Sequence, residues 1–410
     1  MNSGTESSVE RKLVELLSVA QAVDLVLGYA GHFGTEHVPL AEASGRILQQ
    51  SVHAERDQPP YDRVMMDGVA YRYGAGSVLG CHGVQRAGIP ARPLPDGATC
   101  LDVMTGAVLP EGADTVVPVE RLIRDGKRVH FEAGYEPQKG QFVHLKGSDC
   151  EAGHELLKPG LRLNGPALAV LAGNGHPTVE VSKVPSIGIV ATGDELVDVG
   201  TTVQSWEIRR SNEYALTGAL ASRGFTRLER SVVPDDLAET MLALEKQLAR
   251  HEVLILSGGV SMGQFDHVPK ALTKLGVERV FHKVAQRPGK PLWFGVGPEG
   301  QRVFGLPGNP VSATCCATRY VIPMLLAGQG VSRPETYSVK LDADAARVST
   351  LTRYLPVRVR HDASGQAWAT PYPMPTSGDF NFLAATDGFV ELAPGDVAAS
   401  AGSHAVFHGW

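Results

Sequence analysis

Ser186-Ile187-Gly188-Ile189-Val190-Ala191-Thr192-Gly193-Asp194-Glu195-Leu196 joins an apolar run to a loop of small and acidic residues. The run Ser186–Ala191 has no polar alternation, so it reads as a strand buried on both faces. Working outward, Asn212–Arg223 carries helical periodicity and stops at Gly224. A strand at Leu228–Val233, a helix at Asp236–Arg250 and a strand at Val253–Leu256 follow. A helix at Asp266–Leu275 is closed by Gly276. Strands at Arg279–Ala285, Leu292–Val296 and Val303–Leu306 precede a last helix from Val311 to about Leu326. Alternating strands and helices predict βαβ units and a mostly parallel sheet.

The flanks read differently. Ser18 with Gln21 three residues later forms a capping box for a helix to about Tyr29, with a shorter helix expected over Arg11–Leu17. From Val52 to Lys146, short apolar runs alternate with turns at Gly80-Cys81-His82-Gly83, Leu94-Pro95-Asp96-Gly97, Leu109-Pro110-Glu111-Gly112 and Arg124-Asp125-Gly126-Lys127. That spacing predicts a small inserted β domain. The expected division is a discontinuous framework (1–51 and 147–183), the β insert (52–146), the α/β domain (184–331) and a C-terminal β domain (332–410).

Composition narrows the function. The chain has 410 residues, 43% hydrophobic and 20% charged, which suits a globular protein of roughly two to four domains. Its 38 basic and 44 acidic residues leave a net charge of −6, against a general nucleic-acid binder. Apolar stretches such as Val253–Leu256 and Val321–Leu326 fall far short of the ~20 residues that cross a bilayer. The N-terminal residues lack the pattern of an export signal. Five cysteines without a C-x-x-C pair support neither a disulfide framework nor a zinc knuckle. The expectation is a cytoplasmic protein with no nucleic-acid or membrane partner.

Ligands of an open α/β sheet bind beyond the carboxyl ends of its strands. Four such loops are unusual here. Thr192-Gly193-Asp194-Glu195 places two acids at a sharp exit. Ser257-Gly258-Gly259-Val260-Ser261-Met262-Gly263 offers amides and hydroxyls to an anion, without Walker A or dinucleotide spacing. In Gly305-Leu306-Pro307-Gly308-Asn309-Pro310-Val311-Ser312, Asn309 is placed to cap a helix that Pro310 begins. Lys283-Val284-Ala285-Gln286-Arg287-Pro288-Gly289-Lys290-Pro291 sets three cations within eight residues. Extended, it puts Lys283, Ala285 and Arg287 on one face as an anion pocket. The acids Asp67, Asp149, Glu195, Asp235 and Asp266 lie too far apart for spacing to bring them together.

These motifs, with Met66-Asp67-Gly68, Met104-Thr105-Gly106-Ala107, Pro110-Glu111-Gly112-Ala113-Asp114, Gly147-Ser148-Asp149 and Ser211-Asn212, occur in an order that resembles the molybdopterin molybdenumtransferase family, the molybdenum-insertion enzymes of gephyrin E-domain type. The resemblance runs from about residue 18 to the C-terminus. It implies a multidomain α/β plus β subunit: a central MogA-like three-layer α/β/α molybdopterin-binding domain, an inserted β domain, a helical/β framework and a C-terminal β-barrel-like domain. It implies a cytoplasmic homodimer with its cleft at the interface. It implies that adenylylated molybdopterin and molybdate are substrates, that Mg²⁺ assists hydrolysis, and that AMP is released.

Residue by residue, the resemblance makes Glu195, Asp235 and Asp266 the catalytic and metal-side acids. Lys283 and Arg287 would hold phosphate or molybdate. Asp67, Thr105 and Asp149 would come from the partner subunit. Thr192, Gly193, Asp194, Ser257, Gly258, Gly259, Val260, Ser261, Gly263, Pro307, Gly308, Asn309 and Pro310 would cradle the pterin nucleotide, with Ser377 reaching in from the C-terminal domain. Candidate partners are the adenylyltransferase of the same chemistry and molybdoenzyme chaperones. Two departures touch the cleft rim: Arg63-Val64-Met65 stands where Asn-Ser-Ala is frequent, and Arg210 where Asp or Asn is usual. Arg287 stands where the family often has Lys. Alternative readings are an adenylyltransferase-like enzyme, which would be a single small domain, and a non-catalytic scaffold, which would tolerate loss of the site acids retained here.

Overall fold

The computed structural model describes residues 16–233, 236–260, 267–331, 337–372, 376 and 380–410. At its centre, strands run in the order Leu228–Val233, Ile187–Thr192, Val253–Ser257, Arg302–Leu306, Trp293–Val296 and Glu278–His282. The first four are parallel, and the last two run antiparallel to their neighbours. Period-two alternation assigns the two faces. Ile187, Ile189, Val253, Ile255 and Phe304 pack on the side of helices Val19–Gly28 and Pro310–Gly328. Val190, Leu254, Leu256 and Val303 pack on the side of helices Leu237–Arg250 and Val268–Lys274. Three α/β/α layers result, and the continuous apolar strands of the sequence follow from burial on both faces.

Helix ends follow local chemistry. The Ser18/Gln21 capping box forms, with Ser18 N–H donating to Gln21 Oε1 at 2.9 Å. Asp236 caps Leu237–Arg250 by accepting from the amides of Ala238 and Glu239. The last helix is longer than expected, 19 residues over Pro310–Gly328, with a π-turn at Ala317–Val321 just before Pro323. A proline inside a helix removes a donor and crowds the preceding turn, which a π-turn accommodates. This helix is apolar enough to cross a bilayer, but 72% of its apolar window is buried inside the protein, as in a core helix.

Around this unit, strands Thr35–Pro39 and Thr178–Ser182 pair antiparallel, joining chain segments from both sides of the insert. The insert forms a six-stranded sheet from Gly68–Tyr71 to Arg128–Phe131. The turn expected at Gly80–Gly83 lies within the strand Val78–Gln85 as a register shift. Gly83, at φ 122°, supplies a backbone that other residues rarely adopt, so the chain bulges there rather than reversing. In the C-terminal unit, Thr352–His361, Ala367–Pro371, Tyr337–Leu341, His404–Gly409 and Gly388–Leu392 close into a five-strand ring. The strand expected over Arg279–Ala285 ends at His282. Lys283 takes φ 78°, and Gln286–Arg287 then pairs with Thr352–Arg353 of the C-terminal sheet. The shorter helix expected at Arg11–Leu17 lies almost wholly outside the described residues.

Candidate active site

Register brings three loops together. Ala191 pairs with Ser257, and Ser257 with Leu306, so the loops after these strands leave the sheet side by side. They surround a cavity of about 700 Å³ lined by Thr192, Gly193, Glu195, Ser257–Val260, Pro307–Pro310 and the segment Ile208–Glu213. A cavity of this size accepts a small organic ligand.

Glycine is required where these loops touch. Gly258, at φ 97°, has no room for a side chain: a Cβ there would lie 2.6 Å from Thr192 O. One on Gly259 would lie 2.8 Å from Thr192 Oγ1. One on Gly193 would lie 2.7 Å from Glu195 Oε2, so the carboxylate rests against bare backbone. Asn212 ties the loops into one wall, its Nδ2 donating to Ser257 Oγ at 2.7 Å and to Gly308 O at 2.8 Å.

A second cavity, about 310 Å³, shares Pro291, Pro307 and Asn309 with the first. Its lining includes Arg287, Lys290, Ser312 and Thr376, and no Asp or Glu among the described residues. It is therefore cationic. Burial lowers the pKa of neighbouring Arg353, and the Arg287 charge lowers it further. The loop is held from beneath by Gln286, whose Nε2 donates to Gly289 O at 2.9 Å and whose Oε1 accepts from the Tyr320 and Tyr354 hydroxyls at 2.5 and 3.0 Å.

The structure brings together Thr192, Gly193, Glu195, Ser257, Gly258, Gly259, Val260, Pro307, Gly308, Asn309 and Pro310, with Arg287 in the adjoining cavity. Asp194 is exposed at the rim and is not part of the lining. Lys283 lines neither cavity, because its left-handed backbone breaks the extended segment that was to align it with Arg287. Asp67 and Thr105 meet each other: Asp67 Oδ1 accepts from Thr105 Oγ1 and N, both at 2.7 Å. These bonds, the hydroxyl first, hold the Asp67 carboxyl below its ordinary pKa. Asp149 accepts from His144 Nε2 at 2.7 Å. Within one chain, Asp67, Thr105 and Asp149 line neither cavity. Asp235, Ser261, Gly263, Asp266 and Ser377 lie outside the described residues.

Sequence reasoning left Asn212, Glu213, Arg209, Pro291 and Phe380 out of the candidate site, although all line the first cavity. The Ser211-Asn212 motif was a signal for the first two; Phe380 left none.

Comparison with known proteins bears on the whole chain. Sequence profiles match the MoeA N-terminal region (domain I and II) over residues 17–175, a probable molybdopterin binding domain over 188–327 and the MoeA C-terminal region (domain IV) over 338–407. The chain is 38% identical over 400 residues to the molybdopterin molybdenumtransferase of Synechocystis sp., an alignment covering 96% of this chain and 100% of that protein. It belongs to the molybdopterin molybdenumtransferase family. The Bacillus subtilis molybdopterin molybdenumtransferase is 29% identical, with 92% of this chain and 90% of that protein covered. The crystal structure of a molybdopterin biosynthesis MoeA protein from Pyrococcus horikoshii matches with TM-score 0.81 at 29% identity, covering 97% of this chain and 100% of that one. Both glycine loops of this molybdopterin molybdenumtransferase family enzyme lie within the matched probable molybdopterin binding domain.

Proposed function

We propose that this enzyme transfers molybdenum to molybdopterin, taking adenylylated molybdopterin and molybdate as substrates and releasing AMP. The observation that carries the reading is the pair of adjoining cavities, one walled by glycine loops at the strand ends and the other cationic. The first suits a pterin nucleotide and the second an oxyanion. The Gly258 amide is already given to Leu306 O at 3.2 Å, and the bare backbone at Gly258 and Gly259 lets phosphate approach the loop because no side chains intervene. Arg287 and Lys290 neutralise an anion beside them. In the hydrolysis, water adds to one phosphorus of the phosphoanhydride, the bridging P–O bond breaks, and AMP leaves.

Among the described residues no three His, Cys, Asp or Glu side chains form a ready metal cluster. Mg²⁺ nevertheless takes only one or two carboxylates, with phosphate oxygens and waters completing its shell. Glu195, an exposed hard-oxygen donor in the cavity wall, fits as one such ligand. Bound there, Mg²⁺ would offset charge developing on the phosphorus oxygens.

We further propose a homodimer in which Asp67, Thr105 and Asp149 complete the partner's cleft. Supporting this, Met65, Met66 and Met104, flanking Asp67 and Thr105, are 49%, 36% and 46% exposed, an apolar surround for exposed polar groups that suits an interface.

Incubation with adenylylated molybdopterin, molybdate and Mg²⁺ should release AMP and yield cofactor that activates an apo-molybdoenzyme; neither product appearing refutes the assignment. Mixing inactive Asp67→Asn and Glu195→Gln proteins should restore part of the turnover through mixed dimers with one intact cleft. Failure of a demonstrably mixed dimer to do so refutes the shared site.

A further inference from the structure

Asp149 ends a short chain of three side chains. Strands Arg63–Val64 and Val143–His144 pair antiparallel, with His144 opposite Arg63. Residues directly opposite on such a pair lie on the same face within reach of each other. Arg63 Nη2 accordingly lies 2.9 Å from His144 Nδ1. On the far side of the ring, His144 Nε2 lies 2.7 Å from Asp149 Oδ1. The Asp149 backbone is fixed as well, its amide donating to Gln58 O at 2.8 Å.

The two ends settle the sense of both bonds. A guanidinium carries only donors, so His144 Nδ1 accepts from Arg63. A carboxylate accepts, so His144 Nε2 carries the proton and donates to Asp149. A proton on Nδ1 would face the guanidinium, donor against donor. Beside Asp149 alone, the ring could turn over and donate from either nitrogen; Arg63 removes that choice. The Asp149 side chain stays 55% exposed, so a carboxylate aimed through one oxygen still faces outward. Arg63 and Asp149 both line a third cavity, of about 450 Å³, whereas His144 lies outside that lining.

We infer that Arg63 and His144 are positioning residues for Asp149: the guanidinium fixes the tautomer of the ring, and the ring's Nε2–H fixes the carboxylate that completes the partner's cleft. This rests on the reading that Asp149 serves the transfer reaction. The logic is that of any site whose acting group is aimed by a second, hydrogen-bonded one. Because Arg63 stands where Asn is frequent in the family, the guanidinium is not a general feature of the relatives.

Two measurements on the full chain test it. Ring ¹⁵N shifts of histidine-labelled protein, with His144 assigned by its loss in His144→Gln, should place the proton on Nε2 at neutral pH. In Arg63→Leu the constraint is gone, and His144 Nδ1 should gain a proton in a measurable fraction of molecules. The second measurement is AMP release from adenylylated molybdopterin with molybdate and Mg²⁺. His144→Phe keeps a ring without either nitrogen, and its kcat should fall at least tenfold with KM within threefold of wild type. His144→Gln, whose amide offers both a donor and an acceptor, should keep kcat within threefold. A ring needed only for packing gives the opposite order, Phe above Gln, and overturns the inference. Arg63→Leu should fall between the two, and carries the kinetic arm if His144→Phe fails to fold. A proton on His144 Nδ1 in wild type, alone or together with one on Nε2, overturns it too. Asp149→Ala as active as wild type overturns it while leaving the enzymatic reading intact, whereas no AMP release by wild type sinks the enzymatic reading and this role with it.

Discussion

Replacing Gln286 by Leu should do more damage than removing all the polar groups it serves. Gln286, Tyr320 and Tyr354 are 0%, 1% and 0% exposed, and the Gln286 side-chain oxygen accepts from both phenols. Burial pushes both phenols well above the ordinary tyrosine pKa, so both are O–H donors at any working pH. In Gln286→Leu the two hydroxyls, 3.2 Å apart, can satisfy each other only once, leaving one donor orphaned. Two lost hydrogen bonds at about 1 kcal/mol each and one orphan at about 1–3 kcal/mol give a destabilisation of about 3–5 kcal/mol. Gly289 O loses its Gln286 donor but keeps the Leu292 amide at 3.2 Å, so it adds little. In the triple variant Gln286→Leu/Tyr320→Phe/Tyr354→Phe no hydroxyl remains to be orphaned, and stability should return to within about 1 kcal/mol of wild type. Urea unfolding at constant m-value measures both, and hydrogen exchange at Gly289 and Lys290 reports the cationic loop above. A single variant as stable as wild type, or a triple variant less stable than the single, refutes this account of the network.

Gly258→Ala should cost about 2–4 kcal/mol locally, from left-handed backbone and overpacking against Thr192, and weaken AMP binding at least tenfold while the melting temperature falls by only a few degrees. Thr105→Val removes the larger cause of Asp67's lowered pKa, so the acid limb of kcat/KM should move to higher pH, whereas Thr105→Ser should keep the wild-type limb. Glu391 accepts from Arg319 Nε at 2.8 Å and His408 Nε2 at 3.1 Å, and these partners outweigh burial to hold its pKa below the usual 4.5. Its folded pKa is depressed, so its contribution is complete above the unfolded value and lost as pH falls through the folded one. Glu391→Gln should therefore cost roughly 2 kcal/mol near neutrality and flatten the loss of stability below about pH 4.5, read from urea midpoints across pH.

Much of the central fold was legible because burial leaves a local trace. A strand covered on both faces must be apolar at successive positions, as Val253–Leu256 is, and a helix start must satisfy its free amides, as Ser18 and Asp236 do. Where the reading failed, the cause was a single backbone angle. Gly83 turned an expected reversal into a bulge, and Lys283 ended a strand that its side-chain pattern continued.

The glycine and proline loops could be picked out singly, since small residues and rigid prolines are local properties. Their meeting could not, because it depends on Ala191, Ser257 and Leu306 standing level in neighbouring strands, and register is set by packing across the sheet. The same holds for Gln286, which reads as an ordinary polar residue until Tyr320 and Tyr354 arrive from a helix and a distant strand. Sequence determined which segments are strands, helices and anion-suited turns. Tertiary structure alone decided that two cavities adjoin at Pro291, Pro307 and Asn309, and that Arg63 reaches the His144 ring beside Asp149, because these depend on distances between residues far apart along the chain.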